Sequence, residues 1–297
     1  MSAPLYGGQA VIEGVMIRGP RTMAVAVRTP DGEITTRGQR LRGLYTSGLR
    51  RVPLIRGVIV LWETMALGFG ALMWSSAVAT AELDEDGRAK PLGVVAWAGV
   101  LFTLALAVLV FFAAPTLATA WLDGFLGGSW IPTLIEGALR LGLLLGYLWA
   151  IGRSSEVARV FQYHGAEHMT IRAFEDGREL RVPAIRRYEK EHPRCGTSFL
   201  LTVAVVAIVV FVFVAGSPLW WRFASRLVLI PLIAAVSYEL IRFGGTHIHL
   251  PIVRMLFGAN LALQRLTTRV PDDEQIQVAI AAMERARSEE ALAAANP

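Results

Sequence analysis

The chain has 297 residues, 54% of them apolar and 18% charged, with a mean hydropathy of +0.48, whereas a soluble domain carries roughly 25% charge. Apolar runs longer than a core helix needs divide it between bilayer and water, and they exclude disorder, collagen and coiled coil. The formal charge of +5 suits anionic lipid head groups as well as nucleic acid, and the single cysteine, Cys195, excludes a disulfide-stapled fold.

The segment Gly7 to Pro20 holds four glycines before the proline. It lacks the lysine of a G-x-x-x-x-G-K-[ST] loop and the G-x-G-x-x-G spacing, so no phosphate loop is expected. Its glycines call for tight turns or close backbone approach, which fits the wall of a binding cleft bearing Gln9, Glu13 and Arg18, or packing against the membrane part. No basic stub runs into an apolar core, so no secretory signal is expected. Met23–Arg28 and Glu33–Thr36 predict two short strands, with Thr29-Pro30-Asp31-Gly32 supplying the reversal.

Pro53 to Ala79 is apolar but carries Arg56, Glu63 and three glycines, which predicts an interfacial segment or a re-entrant hairpin. Four stretches read as membrane spans: Leu92 to Ala114, Ile131 to Ile151, Ser198 to Gly216 and Leu227 to Phe243. The connections Pro115 to Trp130 and Ser217 to Arg226 carry few charges, whereas residues 1 to 56 hold nine arginines and Arg153 to Arg194 is a dense charged block. Both termini and the central segment are therefore expected on the cytoplasmic side of a bacterial plasma membrane. Pro271-Asp272-Asp273-Glu274 opens a further helix, with acidic residues at its positive end, and the Ala-rich tail from Ser288 is expected to fray.

The expected fold class is thus mainly α, a polytopic membrane protein with about four transmembrane helices and a cytoplasmic domain containing a small β element. The expected divisions are 1–52, cytoplasmic with the β element; 53–91, interfacial or re-entrant; and 92–151, two spans. Then follow 152–197, cytoplasmic and motif-bearing; 198–243, two further spans; and 244–297, a cytoplasmic carboxy-terminal region.

All five histidines fall in three clusters: His164 with His168, His192, and His247 with His249. Ser154 to Phe174 reads as a helix, on which His164 and His168 share a face and Glu167 sits beside them. Two imidazoles one turn apart suit a shared divalent metal, most simply zinc, and the spacing matches the H-x-x-E-H signature in which the glutamate activates water. Histidines bound to phosphate groups at the membrane face are the plainer reading. His192 and Cys195, three apart in a turn, offer further ligands. So does Glu239, whose simpler partner is Arg242. Four ligands imply a closed structural clasp, whereas an open position gives Glu167 a nucleophile to activate. Glu136 and Arg140, four apart, predict an ion pair inside the bundle, with a polar path as the alternative. No basic stripe carries interleaved aromatics, so no nucleic-acid partner is expected.

Gly7 to Pro20, Tyr163 to His168, His192 to Phe199, Leu266-Thr267-Thr268 and Pro271-Asp272-Asp273, in that order, resemble the YqhQ-like bacterial membrane proteins. That family has no assigned reaction, and its members are described as candidate metal-dependent enzymes. The resemblance extends to His164, Glu167, His168, His192, Arg194 and Cys195, but not to His247 and His249. It implies a metal-dependent enzyme, and with the motif it supports a zinc-dependent hydrolase at the cytoplasmic membrane face, with Glu167 as base and a peptide or lipid-linked substrate. The alternatives are a non-catalytic scaffold with a structural metal and, on a weaker footing, a transporter using Glu136, Arg140 and Glu239.

Overall fold

A computed structural model describes residues 6–41, 43, 47–126, 130–192, 195–215, 217–247 and 249–295. Four strands, β1 (Gly7–Val11), β2 (Gly14–Arg18), β3 (Thr22–Arg28) and β4 (Ile34–Arg40), form an antiparallel meander in the order β1-β2-β3-β4. The second and third pair Arg18 with Met23 and Gly14 with Val27. The two expected strands are β3 and β4, and the glycine-rich stretch adds a hairpin. Its turn runs through Glu13 at φ 50°. At Gly14 a Cβ would stand 2.3 Å from the carbonyl oxygen of Ala26, so no larger residue fits beneath β3.

The helices follow as α1 (Ile55–Ala79), α2 (Val94–Val108), α3 (Ala114–Leu126), α4 (Ile131–Ile151), α5 (Ser155–Glu175), the single turn α6 (Val182–Ile185), α7 (Gly196–Val212), α8 (Leu219–Val228), α9 (Ile230–Thr246), α10 (Pro251–Thr267) and α11 (Asp273–Ala295). The sheet is covered on both faces. Val15, Ile17, Ala24 and Ala26 face Tyr163 and Ala166 of α5 and Ile276 and Met283 of α11. Met16, Met23, Val25 and Val27 face Leu67, Ala71, Trp74 and Val78 of α1. A strand buried on both sides reads as a continuous apolar run, as Met23-Ala24-Val25-Ala26-Val27 does.

Three expectations are corrected. Pro53 to Ala79 is not a re-entrant hairpin, since α1 runs unbroken for 25 residues. Its glycines are contact points instead of breaks: a Cβ on Gly57 would meet the Ala235 backbone of α9 at 2.7 Å, and one on Gly68 the Gln9 side chain at 2.4 Å. The connections Pro115 to Trp130 and Ser217 to Arg226, expected between spans, are largely helical. α2 continues through a π-helical turn, Leu109–Ala113, into α3, and α8 meets α9 at a 50° bend. Nor does the Ala-rich tail fray early. α11 reaches Ala295, held by Thr22 Oγ1 and Arg21 Nε donating to Glu290 at 2.9 and 3.1 Å.

Among the described residues, three helical stretches, Ile55–Ala79, Val94–Leu122 and Ile131–Ile151, are long and apolar enough to cross a membrane. The bent pair of α8 and α9, counted as one span, makes a fourth. By length and composition these suggest membrane association. The expected span at Ser198 to Gly216 is shorter, with an apolar helix over Phe199–Val212. The second half of α1 lies on the sheet, so its apolar length is shared between the bundle and the sheet domain.

Candidate metal centre

α5 carries the histidine pair, and its position is set by a close approach to the chain entering α11. At Gly165 a Cβ would stand 2.2 Å from the carbonyl oxygen of Arg269. Only glycine lets that segment lie flat on α5, where the Arg269 amide donates to Phe161 O at 2.9 Å. The same approach brings Thr267 O to 2.8 Å from His164 Nδ1. One turn on, His168 Nδ1 lies 2.6 Å from Lys190 O.

A carbonyl oxygen can only accept, so both Nδ1 atoms carry a proton, and in the neutral imidazole each Nε2 presents a lone pair. This is the arrangement in which backbone acceptors orient metal-binding imidazoles. The rings stand 4.4 Å apart between centroids. His164 Nε2 is 3.2 Å from Cys195 Sγ, and ligand atoms of His164, His168 and Cys195 all lie within 4.8 Å of one another. His168 Nε2 is buried and makes no hydrogen bond. Two imidazoles and a thiol are the donor set that zinc accepts.

Glu167 stands beside this group without belonging to it. Its Oε2 is 4.0 Å from His164 Nε2 and 3.8 Å from His168 Nε2. Burial pushes its carboxyl above the usual carboxylate range, against the opposing pull of His164 and His192. The first strand covers it: a Cβ on Gly8 would meet Glu167 Cγ and Oε1 at 2.7 Å.

Of the other residues singled out from the sequence, His192 borders this group and the other described ones lie away from it. The His192 backbone is clasped by Gln264, whose Oε1 accepts from its amide at 2.8 Å and whose Nε2 donates to its carbonyl at 2.9 Å. Its ring is directed to Glu175, with Nε2 at 3.4 Å from the carboxylate, and lies tilted by 39° with its centroid 5.7 Å from that of His168. Glu239 is a helix-linking residue: its carboxylate accepts from Arg56 and from the Leu54 amide, tying α1 to α9. Gln9 abuts Gly68, Glu13 accepts from Arg159 and Tyr163, and Arg18 pairs with the buried Glu63 at 3.0 Å. These three join the sheet to α1 and α5, which is the packing role. His247 Nδ1 donates to Phe243 O at 2.9 Å, beside His249 at the end of α9. Arg194 lies outside the described residues.

Sequence reasoning missed Gln264, Gly165 and the two carbonyls of Thr267 and Lys190. Backbone acceptors leave no mark on residue type. Gln264 was visible only as an amide in an apolar helix.

The family described as "Protein of unknown function (DUF1385)" matches residues 52–289. The chain belongs to this family. It is also 32% identical over 304 residues to the "Uncharacterized protein YqhQ" of Bacillus subtilis (strain 168), covering 99% of this chain and 95% of that one. The resemblance drawn from these motifs is thereby borne out. No solved structure matches the chain.

Proposed function

We propose that this member of the family is a divalent-metal-dependent hydrolase, most simply a zinc enzyme, working at the cytoplasmic face of a bacterial plasma membrane on a peptide or lipid-linked substrate. The observation that carries the reading is His168 Nε2, a buried lone pair with no hydrogen-bond donor, within 3.8 Å of a buried carboxylate. His164, His168 and Cys195 would hold the ion, which supplies a Lewis acid able to polarise a carbonyl or phosphoryl oxygen. Glu167, with its Oε2 at 4.0 and 3.8 Å from the two Nε2 atoms, is placed to hold and move a proton beside the ion as a general base. Thr267 O and Lys190 O keep the two rings turned, and Gly8 limits water at the carboxylate. The arginine-rich residues 1 to 56 support a cytoplasmic amino terminus.

Elemental analysis of purified protein beside a His164→Ala/His168→Ala double variant tests the site. Metal is expected in the first and lost in the second, and unchanged stoichiometry rules the proposal out. Glu167→Gln is expected to keep the metal and lose turnover of at least 100-fold. A second reading, a structural clasp in a non-catalytic scaffold, draws on Cys195 standing at the head of α7 while the histidines stand on α5. It predicts that chelation lowers the melting temperature, with no hydrolytic activity to lose.

A further inference from the structure

Inside the helical bundle one carboxylate meets three guanidiniums. Glu136 of α4 accepts from Arg226 Nη2 at 2.8 Å and from Arg222 Nη2 at 3.1 Å, both on α8, and lies 2.5 Å from Arg140 Nη2 on its own helix. Thr116 Oγ1 adds a hydrogen bond at 2.9 Å. Glu136, Arg222 and Arg226 are 1%, 4% and 3% exposed. The cluster lies away from the histidines, since Glu136 precedes the end of α4 by fifteen residues, about 22 Å of helix.

The charges do not cancel. Among α2 to α4 and α7 to α9 the sequence places only Asp123, Glu136 and Glu239 as acids, and Glu239 is engaged by Arg56 near the opposite end. Even with Asp123 counted in full, three guanidiniums face two carboxylates. A positive excess in an apolar bundle is costly unless an anion accompanies it.

The excess borders an opening. A cavity of about 420 Å³ is lined by Glu136, Arg140, Arg226 and Thr133 and otherwise by apolar residues such as Val108, Val203 and Ala207. Arg140 Nη2 donates to Thr116 and to the Phe112 carbonyl of the π-helical turn, while its Nε is buried with no hydrogen bond among the described residues. The site therefore combines a spare cationic donor with a long apolar wall.

We propose that this cavity binds an anionic membrane phospholipid, its phosphate against Arg140 and Arg226 and an acyl chain along the wall formed by α2, α4 and α7. A small free anion would find the guanidiniums but no further polar contact, and a zwitterionic head group would bring its own cation to a positive site. The proposal is independent of the metal centre, and its test contains no metal readout.

The full chain, stripped of lipid in a neutral detergent, is titrated with phosphatidylglycerol, phosphatidylcholine and inorganic phosphate, with occupancy read by native mass spectrometry and by melting temperature. Phosphatidylglycerol is expected to bind one to one and at least tenfold tighter than phosphatidylcholine. Arg140→Met, which leaves Glu136 with Arg222 and Arg226, is expected to lose that preference. Ala207→Phe narrows the apolar wall and is expected to weaken phosphatidylglycerol tenfold or more. Equal affinity for the two lipids, or full retention of binding in both variants, overturns the proposal. So does a site where inorganic phosphate displaces phosphatidylglycerol and Ala207→Phe changes nothing. If Arg140→Met does not fold, the ratio of the two lipids and the Ala207→Phe variant decide alone.

Discussion

Replacing Gly165 by alanine tests how the histidine pair is held. The added Cβ would stand 2.2 Å from Arg269 O, a backbone atom that cannot rotate away, and ordinary contact begins near 3.4 Å. The segment must retreat by roughly 1 Å, and overpacking of this kind costs about 1–3 kcal/mol. The retreat also strains the Arg269 amide bond to Phe161 O and the bond between His164 Nδ1 and Thr267 O, each worth about 1 kcal/mol. Together these predict a loss of about 2–4 kcal/mol, read as a fall in melting temperature, with Gly7→Ala as a neutral control because a Cβ there meets nothing within 4 Å. Freed from its backbone acceptor, the His164 ring should bind metal about 10–100-fold more weakly, measured by competition with a chelator. If Gly165→Ala melts and binds metal like the parent, the close approach does not position the ring.

Glu136→Gln should destabilise the bundle by about 3–5 kcal/mol, because it leaves the buried guanidiniums without their carboxylate; a melting temperature within a degree of the parent would contradict the cluster. Glu13 gives a pH signature. The hydrogen bond from Arg159, with its charge and the Tyr163 hydroxyl, holds the Glu13 carboxyl below the usual carboxylate range despite partial burial. A group whose folded pKa is depressed contributes stability above its unfolded pKa, roughly 4.3, and loses it as pH falls through the folded value. With the pair 47% and 28% exposed, solvent screening limits the contribution to about 0.5–1 kcal/mol. Melting curves of Glu13→Gln and the parent should therefore differ at pH 7 and converge in acid; a constant gap would assign the effect to packing.

Much of the helical architecture was legible in residue order. The apolar length of Ile131 to Ile151, the helix bearing His164 and His168, and the acidic opening of α11 all follow from local periodicity, and local periodicity is what a sequence displays directly. In α11 the cap is local as well, though it was not read from the sequence: Asp272 Oδ1 accepts from the Gln275 amide at 2.8 Å while Gln275 Oε1 accepts from the Asp272 amide at 3.0 Å, a reciprocal pair that two side chains three apart can form unaided. The α1 stretch misled because glycine and charge read as interruptions. In the fold its glycines admit Ala235 and Gln9, and its charges meet Glu239 and Arg18.

Residue order by itself determined that the chain is mainly helical and apolar, that its imidazoles are paired one turn apart, and that it carries family motifs from end to end. Only the tertiary structure decided which side chains share a site. It set Cys195 beside His164, turned His192 towards Glu175, gave Glu239 to Arg56 and drew Arg222 and Arg226 onto Glu136. The physical reason is separation along the chain. Helical spacing constrains residues three or four apart, whereas contacts across 17 to 183 positions depend on where whole helices pack, and on small residues such as Gly57 and Gly165 whose role appears only when another backbone lies against them.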